Sequence, residues 1–164
     1  GTIVYASDYD MGRSGIAYHD IDSAEYWVST NTRTQWNSGG KYRNDGVDIE
    51  ACSDDITNGY NVGWIQNGEW LQYSVYAAEK TMYDLNIRVA GTEKSSKLTL
   101  LIGNQEVSEL LINSNGKTGQ WTTNTIRAVQ LNKGWNQLRI LAAAGGFNLN
   151  YFQFISAGSN AGTN

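Results

Sequence analysis

Several segments of the chain alternate between apolar and polar side chains, a period of two that is typical of β-strands with one buried face. The alternating or mostly apolar short segments are residues 47–50, 83–89, 97–102, 136–140 and 150–155. No segment has the long apolar stripe of an amphipathic helix. The pattern therefore predicts a fold built from short strands.

Turn signals separate these segments. Glycine beside Asn, Ser or Lys marks reverse turns, because glycine adopts positive φ angles without steric cost. Such pairs occur at 38–40, 58–59, 67–68, 103–104, 115–116, 133–134 and 145–146. Short strands with turns roughly every ten to fifteen residues indicate an antiparallel β-sandwich. We therefore predict the all-β class.

The chain shows no internal repeat and is predicted to form one module over residues 1–155. Residues 8–46 are less regular and rich in Tyr, Asp, Asn and Ser, so we expect mainly loops and short strands there. Residues 156–164 are small and polar, which is typical of a linker or a disordered tail. This tail favours a module taken from a longer protein.

The segment after the turn at 67–68 places a tryptophan on a polar face. Its apolar residues stand at odd positions from 71 to 75 and are expected to face the core. Trp70 and Gln72 then point the other way. A flat aromatic presented to water favours a partner with apolar faces and many hydroxyl groups, such as a sugar ring.

Composition excludes several classes of partner. The chain has 164 residues, of which 40% are apolar and 17% charged, and its net charge is −4. Nucleic acids and acidic membrane surfaces require basic patches, so neither is an expected partner. No apolar run approaches 18 residues, so we expect no membrane-spanning segment. The chain also opens without a signal peptide, so we expect a mature or excised piece.

Catalytic chemistry has weak support in the sequence. Acidic residues cluster between positions 45 and 69, but nothing fixes two of them at the separation that a glycosidase requires. His19 is the sole histidine and lacks a metal-binding spacing. We interpret these residues as structural. Carboxylates near positions 8–10 and 20–22 are weak candidates for calcium ligands.

Four residues are predicted to converge at one end of the sandwich. Trp64 and Trp121 each follow a glycine-containing turn, Asn148 follows a glycine pair, and Glu50 ends a strand. Two indole planes across a cleft pack against a pyranose ring, and apolar area leaves water at about 25 cal/mol per Å². The amide and the carboxylate then bind hydroxyl groups.

The remaining tryptophans are interpreted as core or loop packing. They are Trp27, Trp36 and Trp135. A tryptophan in a β-sandwich is more often a packing residue than a ligand platform, and only Trp64 and Trp121 have glycine-rich flanks that place them at loop ends.

The chain resembles family 6 of the carbohydrate-binding modules over nearly its whole length. The motifs that carry the resemblance are residues 8–10 with 15–20, residues 42–50, residues 60–73, residues 118–121 and residues 145–150. The third, with Gly-Trp at 63–64 and Gly-Glu-Trp-Leu at 68–71, is the most specific. Their order along one chain makes the match strong.

The resemblance implies a jelly-roll β-sandwich without catalytic activity. It also implies a loop-end cleft formed by an acidic residue, two aromatics and an asparagine, here Glu50, Trp64, Trp121 and Asn148. Some members have a second cleft on a concave sheet face. That cleft falls on Trp70 and Gln72, with Arg88 and Arg139 as further members by strand parity alone.

The resemblance further suggests a structural calcium, but this chain departs from the pattern. Family members often carry two glutamates at the positions of Tyr5 and Ser7, and both carboxylates are missing here. A hard cation requires several oxygen ligands, usually charged. We therefore expect no required cofactor.

The leading hypothesis is a secreted, monomeric, non-catalytic module that anchors a covalently linked glycoside hydrolase to a polysaccharide. β-1,3-Glucan of the laminarin type is the favoured ligand, because the opening block resembles modules of laminarinases and agarases. Agarose is the next candidate, followed by xylan and cellulose. A small glycoside hydrolase and a protein-binding adhesion sandwich remain alternatives.

Overall fold

Two large antiparallel β-sheets form the sandwich, and the described residues include one further two-stranded sheet. The structure, a computed structural model, describes residues 1–21, 27–29, 32–33, 37–91, 95–112, 117 and 119–157, with the backbone alone at 27–29 and 32–33. In chain order the strands are β1 (Ile3–Tyr5), β2 (Tyr18–His19), β3 (Trp27–Ser29), β4 (Thr32–Arg33), β5 (Ile49–Ala51), β6 (Tyr60–Val62), β7 (Trp70–Ala77), β8 (Thr81–Gly91), β9 (Lys97–Ile102), β10 (Gln105–Leu111), β11 (Trp121–Leu131), β12 (Gly134–Ala144) and β13 (Phe147–Ser156). One 3₁₀ turn spans Ala6–Asp8.

Eleven of these strands divide into a six-stranded and a five-stranded sheet, and β3 and β4 pair with each other as a separate two-stranded sheet. The six-stranded sheet has the order β11-β8-β13-β6-β5, with β1 also paired to β13, and the five-stranded sheet has the order β10-β9-β12-β7-β2. From β6 onward the chain changes sheet at every connection except the β9–β10 hairpin. The predicted all-β jelly-roll sandwich is confirmed.

The core lies between the two sheets and follows the alternation seen in the sequence. Along β8 the fully buried side chains are Leu85, Ile87 and Val89. Burying each such side chain contributes about 1.5–3 kcal/mol. Tyr73 in the five-stranded sheet packs against Phe152 in the six-stranded sheet. The two rings meet edge to face, with centroids 4.8 Å apart.

Bulges hide two strands from sequence-based prediction. In β11 the pairing with β8 shifts between Ile126 and Val129, where Ala128 adopts a φ of 56°. In β10 the pairing shifts between Glu106 and Ser108. Each bulge moves the following side chains to the other face and interrupts the period of two.

Some predictions fall outside the described residues. These are the packing role of Trp36 and of the Trp27 side chain, and the tail from 158 to 164. Strand β13 ends at Ser156, one residue beyond the predicted end of the module. Within the described ranges, no helix has the length and apolar character needed to cross a membrane.

Candidate functional site

Glu50 and Asn148 form the polar centre of a site at one end of the six-stranded sheet. Strands β5, β6 and β13 bring them together, and Asn148 Nδ2 donates a 2.6 Å hydrogen bond to Glu50 Oε1. Asn61 Nδ2 donates to the same oxygen at 3.2 Å. Within the described part of the chain, neither Glu50 Oε2 nor Asn148 Oδ1 has a hydrogen-bond partner. Two acceptors therefore remain for a ligand.

Two glycines make this arrangement possible. A Cβ at Gly63 would lie 3.1 Å from Glu50 Oε1 and would crowd the carboxylate. Gly39 has a φ of +76°, and a Cβ there would lie 2.2 Å from the carbonyl oxygen of Ile49 and 3.1 Å from the Trp64 ring. Any larger residue at Gly39 would displace either β5 or the indole.

Trp64 stands at the rim of the site and is 50% exposed. Its φ of 49° lies in the left-handed region, which is uncommon for a bulky residue and costs on the order of 1–3 kcal/mol. The ring lies close to Gly39, where an added Cβ would be 3.1 Å from it. The result is an exposed indole beside the carboxylate and amide.

These residues line a cavity of about 660 Å³. That volume is within the range of small-molecule sites, roughly 300–1,000 Å³. The lining residues are Ile21, Glu50, Trp64, Ile65, Gln66, Asn67, Gly145, Gly146, Phe147 and Asn148. Three of the four residues predicted for the loop-end cleft are therefore together.

Trp121, the fourth predicted residue, lies on the same sheet face but does not line this cavity. It pairs with Ala90 of β8, and Ala90 pairs with Asn148, so the three form one row across β11, β8 and β13. Two strand spacings, about 10 Å, separate Trp121 from Asn148. The Trp121 ring is half-buried, and its buried Nε1 has no hydrogen-bond partner in the described chain.

The second predicted site lies on the outer face of the five-stranded sheet, where its side chains contact one another, although the buried Nε of Arg139 has no hydrogen-bond partner in the described chain. Arg139 is opposite Gln72 in the register, and its guanidinium carbon lies 3.8 Å from the centroid of the Trp70 ring. Gln72 is 7% exposed, accepts a 3.1 Å hydrogen bond from Arg139 and donates to Asp10 at 3.3 Å. The structure brings Trp70, Gln72 and Arg139 together but covers one face of the indole.

Arg88 does not belong to this group, and its predicted place beside Trp70 is wrong. It lies on β8 in the other sheet, where it donates two hydrogen bonds of 2.8 Å to Asp54. Burial alone would raise the pKa of Asp54, but hydrogen bonds from Arg88 and Asn150 outweigh it and hold the pKa below its usual value. Strand parity distinguishes inner from outer faces but does not specify the sheet.

Trp135 is also placed differently from the prediction. It was expected to pack in the core or a loop, yet it is 74% exposed on the outer face of the five-stranded sheet. Its ring meets Tyr76 edge to face, with centroids 5.5 Å apart. The alternation along β12 indicates this exposure, because Trp135 lies on the same face of the strand as the polar Gln137 and Arg139.

Two other carboxylates near Glu50 in sequence, Asp45 and Asp48, have structural partners. Asp48 accepts a hydrogen bond from the backbone N–H of Ser38, and Asp45 is paired with Arg43 at 2.7 Å. Among the described residues that line the cavity, Glu50 is the sole carboxylate. Glycoside hydrolysis requires two carboxylates across the bond. The geometry therefore favours binding over hydrolysis.

The position where the resemblance suggests calcium does not fit that ion. Ser7 is fully buried, and its Oγ accepts a 2.9 Å hydrogen bond from Asn58 Nδ2. Tyr5 contributes a ring that packs edge to face on Tyr151. No cluster of three or more His, Cys, Asp or Glu suited to a metal occurs among the described residues. The donor set lacks the carboxylates that calcium prefers.

A comparison with known protein families finds a match over most of the chain. The model of the family described as carbohydrate binding module (family 6) matches residues 40–156. These residues include Glu50, Trp64, Trp121 and Asn148, so the match covers the whole predicted loop-end cleft.

Solved structures of similar fold agree with that match. A module from Cellvibrio mixtus lichenase 5A, solved with cellotriose, is 30% identical over 68% of this chain and 88% of its own, with a TM-score of 0.61. The C-terminal module of a laminarinase from Zobellia galactanivorans is 28% identical over 65% and 85%, with a TM-score of 0.58. A β-1,3-glucan binding module from Bacillus halodurans is 21% identical over 94% and 96%, with a TM-score of 0.63, and shows the shared fold.

Proposed function

The chain belongs to family 6 of the carbohydrate-binding modules, and from this premise we propose that it anchors a glycoside hydrolase to β-1,3-glucan of the laminarin type. Family 6 is a family of non-catalytic binding modules, so the chain is a carbohydrate-binding module. The ligand, the attached enzyme and the secreted location belong to the proposal.

The observation that carries the proposal is the cavity in which Glu50 and Asn148 lie beside the exposed Trp64 ring. The C–H face of a pyranose packs against an indole and removes apolar area from water. The carboxylate and the amide carbonyl each offer an acceptor to sugar hydroxyl groups. Sugar rings present these two chemistries together.

The choice of β-1,3-glucan is supported by two of the similar structures. One is described as β-1,3-glucan binding, and another comes from a laminarinase. The module from the lichenase was solved with cellotriose, which keeps β-1,4-linked glucan as an alternative. Agarose and xylan remain further alternatives on the same site.

Anchoring follows from binding when the module is linked to a catalytic domain. A linker converts the meeting of enzyme and polymer into an intramolecular event and raises the effective concentration of substrate. The proposed ligand, a β-1,3-glucan polymer, lies outside the cell, so we infer a secreted protein. A single monomeric module is sufficient for this role.

Calorimetric titration with laminari-, agaro-, xylo- and cello-oligosaccharides tests the proposal. We expect the laminari series to bind most tightly. We further propose that the glycan extends along the row from Asn148 to Trp121, so Trp121→Ala should weaken binding at least about tenfold in a folded protein, since burying an aromatic side chain is worth roughly 1.5–3 kcal/mol. Unchanged affinity in that variant would remove Trp121 from the site. Release of reducing ends by the purified chain would instead favour the hydrolase alternative.

A further inference from the structure

The cavity continues beyond Glu50, Trp64 and Asn148 to a second wall that includes Ile21 and Gln66. Neither wall residue carries a sequence signal for binding. Trp121 is not among the described residues that line the cavity.

A buried carboxylate holds this wall in place. Glu69 is 8% exposed, and its two oxygens accept hydrogen bonds from the backbone N–H groups of Ile21, at 3.2 Å, and Gln66, at 2.9 Å. Hydrogen bonds to a charged acceptor are stronger than those between neutral groups. One side chain thus fixes two loops that are distant in sequence.

The neighbouring loop is fixed in the same manner. Asn67 Oδ1 accepts a 2.7 Å hydrogen bond from the N–H of Gly145, and the N–H of Gly146 donates to the carbonyl of Ile65 at 2.9 Å. A Cβ at Gly145 would lie 2.3 Å from that same carbonyl oxygen, so the loops approach as closely as glycine allows. A wall ordered before binding reduces the entropic cost of association.

The chemistry of the wall suits a neutral sugar. Ile21 is 54% exposed and offers an apolar patch, while the exposed Gln66 amide both donates and accepts hydrogen bonds. No Lys, Arg or His appears among the described residues that line the cavity, and Glu50 supplies a negative charge. Uronic acid or sulfated residues would therefore meet repulsion without a compensating cation.

We propose that Ile21 and Gln66 form a further subsite for a neutral sugar residue of a longer glycan, with Glu69 as its positioning residue. The subsite rests on the proposed function and specifies where the chain continues from the Glu50–Asn148 pair. The proposal predicts that a pentasaccharide contacts the wall more extensively than a disaccharide held at that pair.

Titration of Gln66→Ala with laminaribiose and laminaripentaose tests the subsite. The loss of a neutral hydrogen bond should lower pentasaccharide affinity about 3- to 10-fold and leave disaccharide affinity within about twofold. Glu69→Gln replaces one acceptor with a donor and should show the same dependence on length, with unchanged far-ultraviolet circular dichroism. If Glu69→Gln does not fold, Gln66→Ala alone decides.

Gln137→Ala is the matched control, because Gln137 is an exposed glutamine on the outer face of the five-stranded sheet. We expect wild-type affinity for both sugars in this variant. An equal loss at both lengths in Gln66→Ala, or no loss at either, would overturn the subsite. Tight binding of a pentagalacturonate would contradict its neutral specificity. If the wild-type chain bound neither laminaribiose nor laminaripentaose, that result would contradict the proposed function itself, independently of the subsite.

Discussion

The loop-end cavity and the outer face of the five-stranded sheet each place a tryptophan among polar side chains, yet in the cavity the indole and two hydrogen-bond acceptors are open to a ligand, whereas Arg139 covers Trp70 on the sheet face. In the cavity, Trp64 is 50% exposed, and one oxygen of Glu50 has no hydrogen-bond partner in the described chain. On the sheet face, Arg139 stacks over Trp70, and Gln72 is nearly buried. The buried Nε of Arg139 also lacks a hydrogen-bond partner in the described chain, so the two regions differ in the access of a ligand to their groups and not in residue types alone.

The two regions also differ in how they are built. The cavity lies where loops meet the end of a sheet, and its shape depends on glycines that let backbone segments approach. The sheet face is set by strand register, which places Arg139 directly opposite Gln72. Side chains opposite one another in the register cover one another, whereas loop ends leave room for a ligand.

The strongest test of this contrast is Trp64→Ala. Loss of the exposed indole should weaken oligosaccharide binding by at least about tenfold, because an aromatic contact is worth roughly 1.5–3 kcal/mol. Trp135→Ala is the matched control, since Trp135 is 74% exposed but lies on the other sheet. Calorimetry measures both. Equal losses in the two variants would show that exposed aromatic surface, and not the cavity, determines affinity.

Arg88→Met should change stability and leave binding intact. Its pair with Asp54 is largely buried, with 4% of the Asp54 side chain exposed, and hydrogen bonds to charged groups contribute about 1.5–3 kcal/mol. For a chain of this length the melting temperature should fall by about 3–12 °C. Arg127→Met is the control: its 2.7 Å pair with Asp84 has a 70% exposed arginine and is worth at most about 1 kcal/mol.

The same pair predicts a pH dependence. The pKa of Asp54 is lowered in the folded state, so its contribution is complete above the unfolded value of about 3.9 and is lost as pH falls through the lower folded pKa. Melting curves of the wild type and Arg88→Met should therefore converge in acid below about pH 4. A constant difference down to pH 2 would contradict the assignment.

The comparison also shows what the sequence could predict. Alternation predicted β9 at the same residues, 97–102, that the structure assigns. It missed β11 because the bulge at Ala128 reverses the face. The even-odd position of Arg88 in its strand predicted an outward-facing side chain. It could not predict which of the two sheets contains that strand, because pairing between distant strands is not encoded locally.

The candidate site was predictable where local motifs carry it. Glycine-flanked turns identified Trp64 and Asn148, and the structure brings both to the cavity. The role of Glu69 was not predictable, because its contact to Ile21 joins residues 48 positions apart. The exposure of Trp135 is not predicted by the general preference of tryptophan for packed positions in β-sandwiches. Its even-odd position in the strand, shared with the polar Gln137 and Arg139, indicates the outer face.

Trp70→Leu tests the covered sheet face with a smaller expected effect. Leucine keeps an apolar side chain but loses the cation–π contact with Arg139, worth about 0.5–1 kcal/mol at exposed sites. We expect wild-type affinity and an unchanged stoichiometry of one oligosaccharide per chain. A lower stoichiometry would show that a ligand displaces Arg139 and that the face is a second site.

The smallest expected effect is that of a chelator, which tests whether the region around Ser7 needs a metal. A calcium site at one hundred times its Kd stabilises a fold by about 2.7 kcal/mol, which corresponds to roughly 5–11 °C for a chain of this length. Because Asn58 satisfies Ser7 and the position lacks carboxylates, melting temperatures in EDTA and in millimolar calcium should agree within about 1 °C.

Replacing Ser7 by Asp places a carboxylate beside Asn58 and should not create calcium dependence, because one charged ligand is too few. A calcium-dependent rise in the wild-type chain would mean that backbone carbonyls supply the ligands, and the contrast between open and satisfied sites would then extend to this third region.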